Sequence, residues 1–180
     1  PEKIHQDLDA VILGMHAQID NPELLQAQKL GLKIYSFPEF IFEQSKDKKR
    51  VVIAGSHGKT TTTSMIMHVL NSAGRDFDYL VGAQIEGFDY VVKCSESAPI
   101  IVIEGDEYLT SPLDLQSKFL HYSPQLAIIT GIAWDHINVF PTYPEYVETF
   151  RKFIQSVEDK IFYYHDDADL KKLALSPHSA

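Results

Sequence analysis

Residues 51–63 read VVIAGSHGKTTTT: a four-residue apolar run, two glycines three apart, a lysine and four threonines. The apolar run has the length of a buried strand, and Gly55 ends it. Gly55 and Gly58 permit a tight turn that points backbone N–H groups at an anion, which the N-terminus of a following helix also favours. Lys59 has the reach for β- and γ-phosphate oxygens, and the Thr60 hydroxyl suits Mg²⁺. The spacing is shorter than G-x-x-x-x-G-K-[ST], because Ile53 stands five residues before Gly58. A plain glycine turn with a helix cap is the alternative. It leaves unexplained four mediocre helix formers in a row where ligand hydroxyls are useful. The loop Gly55, Ser56, His57, Gly58, Lys59, Thr60 and Thr61 is therefore the expected phosphate contact.

Working outward, a helix follows with apolar Met65, Ile66, Val69, Leu70 and Ala73 along one side, stopped by Gly74. Upstream, residues 10–14 (AVILG) and 32–35 are short strands. Asn21-Pro22-Glu23 opens a helix that Gly31 closes, and residues 38–44 form a second helix. The basic run SKDKKR (45–50) reads as a solvated linker and the domain boundary. Downstream come short strands within 79–92 and buried strands at 100–103 and 126–130. A helix opened by Pro144 buries Tyr146, Val147, Phe150, Phe153, Ile154 and Val157. A strand at 161–164 and a helical turn at 169–173 follow. This alternation predicts an α/β fold, a parallel sheet with helices on both faces, whose ligand sits beyond the carboxyl ends of the strands.

Composition narrows the function classes. With 16 Lys+Arg against 25 Asp+Glu the chain carries a formal charge of −9, which argues against nucleic acid or an anionic membrane as partner. A hydrophobic fraction of 44% fills a core and excludes disorder. One cysteine excludes a disulfide framework and a cysteine-built zinc site, and fits a reducing cytoplasm. No run is long enough to span a bilayer and no signal-peptide pattern stands at the N-terminus. The chain begins with Pro1, which suggests a piece of a longer protein.

Two further clusters stand at strand ends. Glu104-Gly105-Asp106-Glu107 ends the strand at 100–103, and its three carboxylates repel one another unless cations such as Mg²⁺ neutralise them. Asp135-His136 follows the strand at 126–130. If these strands flank 51–54, then phosphate loop, acid cluster and imidazole converge on one crevice. Trp134 and Tyr143 are candidates to cover His136.

GSHGKTTT, then EGDE, then DH resemble the central ATPase domain of the Mur ligases, which add amino acids or peptides to UDP-N-acetylmuramate. The resemblance covers most of 51–164. Residues 10–44 are similar to the later half of that family's UDP-binding domain, placing the boundary between 1–48 and 49–180. Residues 104–124 resemble the branch that joins L-alanyl-γ-D-glutamyl-meso-diaminopimelate to UDP-N-acetylmuramate in peptidoglycan recycling; the L-alanine-adding branch is the alternative. The resemblance implies an acyl phosphate formed from ATP on the lactyl carboxylate and attacked by the incoming amine. Lys59 would hold the phosphates, Thr60 and Glu104 one Mg²⁺, and His136 a second metal. It also implies that adenine-binding and amine-binding parts lie outside these 180 residues, so that the piece alone does not ligate. A non-catalytic nucleotide-binding module and a small-molecule kinase are the readings from other classes.

Overall fold

The computed structural model describes residues 1–175. The elements are β1 (Val11–Leu13), α1 (Pro22–Lys29), β2 (Ile34–Ser36), α2 (Phe37–Ser45), β3 (Lys49–Ala54), α3 (Lys59–Ser72), β4 (Asp78–Leu80), β5 (Val92–Lys93) and β6 (Ile100–Glu104). They continue with β7 (Leu109–Ser111), β8 (Asp114–Ser117), a 3₁₀ turn (Lys118–His121), β9 (Leu126–Ile129), α4 (Tyr143–Gln155), β10 (Lys160–Tyr163) and α5 (Ala168–Leu175).

Six strands form one sheet in the order β10-β9-β3-β6-β4-β5, parallel except for β5, which runs antiparallel to β4. β3 is flanked by β6 and β9, so the strands ending at the glycine loop, at Glu104 and near His136 are neighbours. From β3 the chain builds one side of the sheet (β4, β6) and then the other (β9, β10), which makes β3 the topological switch, where such sheets bind ligands. β1 and β2 pair separately in a parallel two-stranded sheet.

Helices cover both faces of the large sheet. Val52, Ala54, Ile101, Ile103, Ala127 and Ile129 pack under Tyr146, Phe150, Phe153 and Ile154 of α4 and under Phe119. Phe119 stacks on Phe153 with ring centroids 4.5 Å apart and meets Phe150 edge-on at 5.4 Å. Such aromatic pairs add about 0.5–1.5 kcal/mol each beyond their area. α4 starts cleanly because Thr142 and Glu145 form a capping box ahead of Pro144. The opposite face packs Ile53 and Val102 against Met67 of α3, with Phe77 and Tyr79 completing the cluster.

Two expectations are corrected here. On α3 the buried residues are Thr63 and Met67, with Ile66 and Leu70 half-buried, whereas Met65 and Val69 are 63% and 67% exposed and Ala73 is also exposed. The helix begins at the loop, directly after Gly58 at φ +80°, and that start sets which side faces the sheet: 63, 66, 67 and 70, the i, i+3, i+4, i+7 stripe. The run 45–50 is also not a solvated linker. Arg50 is 4% exposed, and its guanidinium donates to the carbonyls of Ser45, Lys46, Tyr122 and Ser123. Lys48 pairs with fully buried Asp78 at 2.6 Å. These cations tie α2 to the large sheet because buried carbonyls need donors and a buried carboxylate needs a charge partner.

Candidate functional site

The loop after β3 is moulded by close contact. Gly55 has φ +124°, and a Cβ there would lie 2.2 Å from Thr130 Oγ1 and 2.9 Å from Thr130 N, so only glycine fits. Ser56 N donates to Gly131 O, and Thr130 Oγ1 donates to His57 O, so the loop leans on the segment after β9. No side chain caps α3, which leaves its positive N-terminal end to the crevice.

Lys59 Nζ donates to Gly55 O at 2.7 Å and to the Glu107 carboxylate at 3.0 Å. Thr60 Oγ1 donates to Glu104 Oε1 at 2.8 Å, and Gly82 N donates to Glu104 Oε2 at 2.9 Å. His136 Nε2 lies 3.1 Å from Glu107 Oε1. Glu107 is completely buried and therefore bridges the lysine of one strand's loop to the histidine of the next. The Tyr146 hydroxyl also donates to it at 3.4 Å, Ser56 Oγ lies 2.8 Å from that hydroxyl, and Ala133 N donates to Ser56 Oγ. Burial pushes the Tyr146 hydroxyl well above its ordinary pKa, with the Glu107 charge adding to the effect, so Tyr146 acts as a neutral donor.

His136 sits in the left-handed region at φ +57°, a conformation that costs a non-glycine residue about 1–2 kcal/mol. Its backbone N–H donates to Asp135 Oδ1 at 2.7 Å. The ring that packs on it is Tyr108, with centroids 4.4 Å apart. Trp134 instead packs near Tyr143 and is 46% exposed, which corrects the expected cover.

Two cavities meet here. One, of about 390 Å³, is lined by the loop from Ser56 to Thr61 with Asp135. The other, of about 320 Å³, is lined by Phe37, Leu80, Val81, Tyr108, Lys118 and Tyr122 among others. The residues common to both walls are Lys59, Glu104 and His136. All the residues selected from sequence thus gather at one rim, with Gly55 just beneath it. Sequence reasoning missed Tyr108, Tyr146 and the bridging position of Glu107; Glu107 was noticed only as part of an acid cluster. It also missed the β7–β8 hairpin, which places Asp106 against Lys118 at 2.6 Å.

A parallel sheet with a glycine–lysine–threonine loop at its switch strand has the architecture of the phosphate-loop nucleotide-binding domains. Within that class the chain belongs to the Mur ligase family: the model of the Mur ligase middle domain matches residues 53–179. The UDP-N-acetylmuramate–L-alanine ligase of Limosilactobacillus reuteri is 36% identical over 163 residues, which cover 91% of this chain and 34% of that enzyme. That of Caldicellulosiruptor bescii is 37% identical over 175 residues, 94% of this chain and 36% of the relative. Among solved structures, the UDP-N-acetylmuramate:L-alanyl-γ-D-glutamyl-meso-diaminopimelate ligase of Neisseria meningitides superposes with TM-score 0.82 at 29% identity, over 92% of this chain and 54% of that one. The murein peptide ligase of Psychrobacter arcticus gives TM-score 0.74 at 26% identity, over 92% and 38%. The chain spans about a third of the length of the curated relatives it matches. Among the described residues, no helix is long and apolar enough to cross a membrane.

Proposed function

We propose that this chain is the nucleotide-binding part of an ATP-dependent ligase that forms an amide on UDP-N-acetylmuramate. The observation that carries the reading is that Lys59, Glu104 and His136 belong to both cavity walls. A triphosphate in the loop-lined cavity and a carboxylate in the other meet at those residues. There the γ-phosphoryl group passes to the carboxylate, and the incoming amine displaces phosphate from the acyl phosphate. Lys59 holds β/γ-phosphate oxygens, and the loop from Gly55 to Thr61 directs N–H groups at them. The site's donor set fits magnesium. Thr60 Oγ1 and Glu104 Oε1, 2.8 Å apart at the mouth of the loop, are hard oxygen ligands, and His136 is the proposed ligand of a second ion. Bound magnesium would supply charge neutralisation between two anionic substrates.

We assign residues 1–48 to the trailing part of a UDP-binding domain and 49–180 to the ATPase domain. The first strand of the large sheet starts at Lys49.

For the incoming amine we favour the peptide L-alanyl-γ-D-glutamyl-meso-diaminopimelate. Supporting it are the hairpin built from residues 109–117, within the segment that resembles the peptide-adding branch, and the fit to the two peptide-ligase structures. L-alanine is the second reading, favoured by the names of the curated relatives.

The test has two arms. The chain itself is titrated with a fluorescent ATP analogue and Mg²⁺; Lys59→Ala should weaken binding at least tenfold, and unchanged affinity overturns the phosphate-loop assignment. The full-length protein is given ATP, UDP-N-acetylmuramate and either amine. Phosphate release with the tripeptide supports the peptide reading, and release with L-alanine alone overturns it. Nucleotide binding without turnover on either amine leaves a non-catalytic module in place of the ligase.

A further inference from the structure

Glu39, Asp114 and His121 lie far apart in sequence, on the first turn of α2, at the start of β8 and at the end of the 3₁₀ turn. Their ligand atoms fall within 4.8 Å of one another. Each carboxylate uses one oxygen for its own backbone. Glu39 Oε2 accepts Ser36 N and Ser36 Oγ, and Asp114 Oδ1 accepts Gln116 N. Asp114 Oδ2 is turned to His121 Nε2 at 2.9 Å.

His121 Nε2 is itself buried and makes no hydrogen bond, so the Asp114 oxygen is close to it but off the line an N–H would take. A buried imidazole nitrogen without a hydrogen bond is an uncommon loss. On a tetrahedral ion two ligands with bonds of about 2.1 Å stand about 3.4 Å apart, so the 2.9 Å pair seen here needs to open by only about 0.5 Å to share a zinc.

We propose that Glu39, Asp114 and His121 bind a zinc-like divalent transition-metal ion that clips the β7–β8 hairpin to α2. One imidazole and two carboxylates suit zinc and disfavour magnesium, which takes oxygen ligands in an octahedral shell. The clip lies outside both cavities described above, since none of its three residues lines either of them. Its effect is to fasten residues 109–117, next to Lys118 of the apolar cavity wall, to the unit that carries β1 and β2.

Metal-free 180-residue chain is titrated with Zn²⁺, and with Co²⁺ as a spectroscopic probe. The expected result is one zinc per chain, a Co²⁺ visible band of a low-coordinate N/O site, and a higher melting temperature; Mg²⁺ should not reproduce the shift. Glu39→Gln keeps the capping box, because glutamine serves at that position, yet should weaken zinc at least tenfold. His121→Gln should abolish the cobalt band, whereas Glu104→Gln, at the nucleotide site, should leave uptake unchanged. Absence of zinc binding, equal uptake by Glu39→Gln, or loss of uptake in Glu104→Gln would each overturn the proposal.

Discussion

The Glu107 carboxylate lies 3.0 Å from the Lys59 ammonium, the former fully buried and the latter 15% exposed. At such depth neither charge tolerates the loss of the other. Glu107→Gln keeps the shape and removes the countercharge, so the chain should lose about 3 kcal/mol. For a chain of this size that lowers the melting temperature by roughly 6–12 °C. Thermal melts with and without a saturating nucleotide analogue check both halves of the argument. Phosphate oxygens replace the missing charge beside Lys59, so the gap between variant and parent should narrow when nucleotide is bound.

Gly55→Ala drives a methyl group into Thr130, including its backbone nitrogen, in a φ range that L-residues avoid. The combined overpacking and strain should cost about 3 kcal/mol or more. Thr130→Ser should not rescue it, because the backbone contact at 2.9 Å remains. Gly87→Ala shares the positive φ but meets only His68 Cε1, at 3.8 Å, and should cost about 1 kcal/mol. Denaturant midpoints of the three variants check the ranking.

Arg50→Lys keeps the charge but has too few donors, in the wrong geometry, for the five carbonyls of Ser45, Lys46, Lys48, Tyr122 and Ser123. We expect a loss of about 2 kcal/mol by urea unfolding, far more than for an ordinary surface lysine or arginine.

Tyr143 is pushed up to about 12 by burial and by its hydrogen bond to Asp169. Between pH 10 and 12 the unfolded chain therefore loses this proton while the folded chain keeps it, so stability that is present below pH 10 falls across that window. Tyr143→Phe should flatten the decline without removing it, because burial also raises Tyr122 and Tyr146. Unfolding free energies measured from pH 8 to 12 check this.

Much of the fold was legible because its main signals are local. VVIA, IIVI and LAII are continuous apolar strands, and the residues following each carry the chemistry. The buried side of α4 was legible too, since Tyr146, Val147, Phe150, Phe153 and Ile154 share one stripe behind a proline-marked start, with Val157 just past the helix end. The β7–β8 hairpin was not. Its strands are three and four residues long, joined at Pro112-Leu113, where Ser111 Oγ accepts Leu113 N and Asp114 N; turn chemistry of that kind carries no apolar period. Arg50 looked like a surface charge because only tertiary structure brings the carbonyls of Tyr122 and Ser123 to it. Glu107 was visible as an acid but not as a bridge. Its partners come from 48 residues upstream and 29 residues downstream, a relation that spacing along the chain does not encode.

Lys59, Glu104 and His136 are walls of two chambers at once, and that has a thermodynamic consequence. An occupant of one compartment that shifts the charge or posture of those shared side chains changes the wall that the other sees. Affinities on the two sides are then linked, and linkage obliges the influence to be equal in both directions. A compound lodged on the aromatic side would reveal itself as a change in grip on the opposite side, without ever entering the loop-lined cavity.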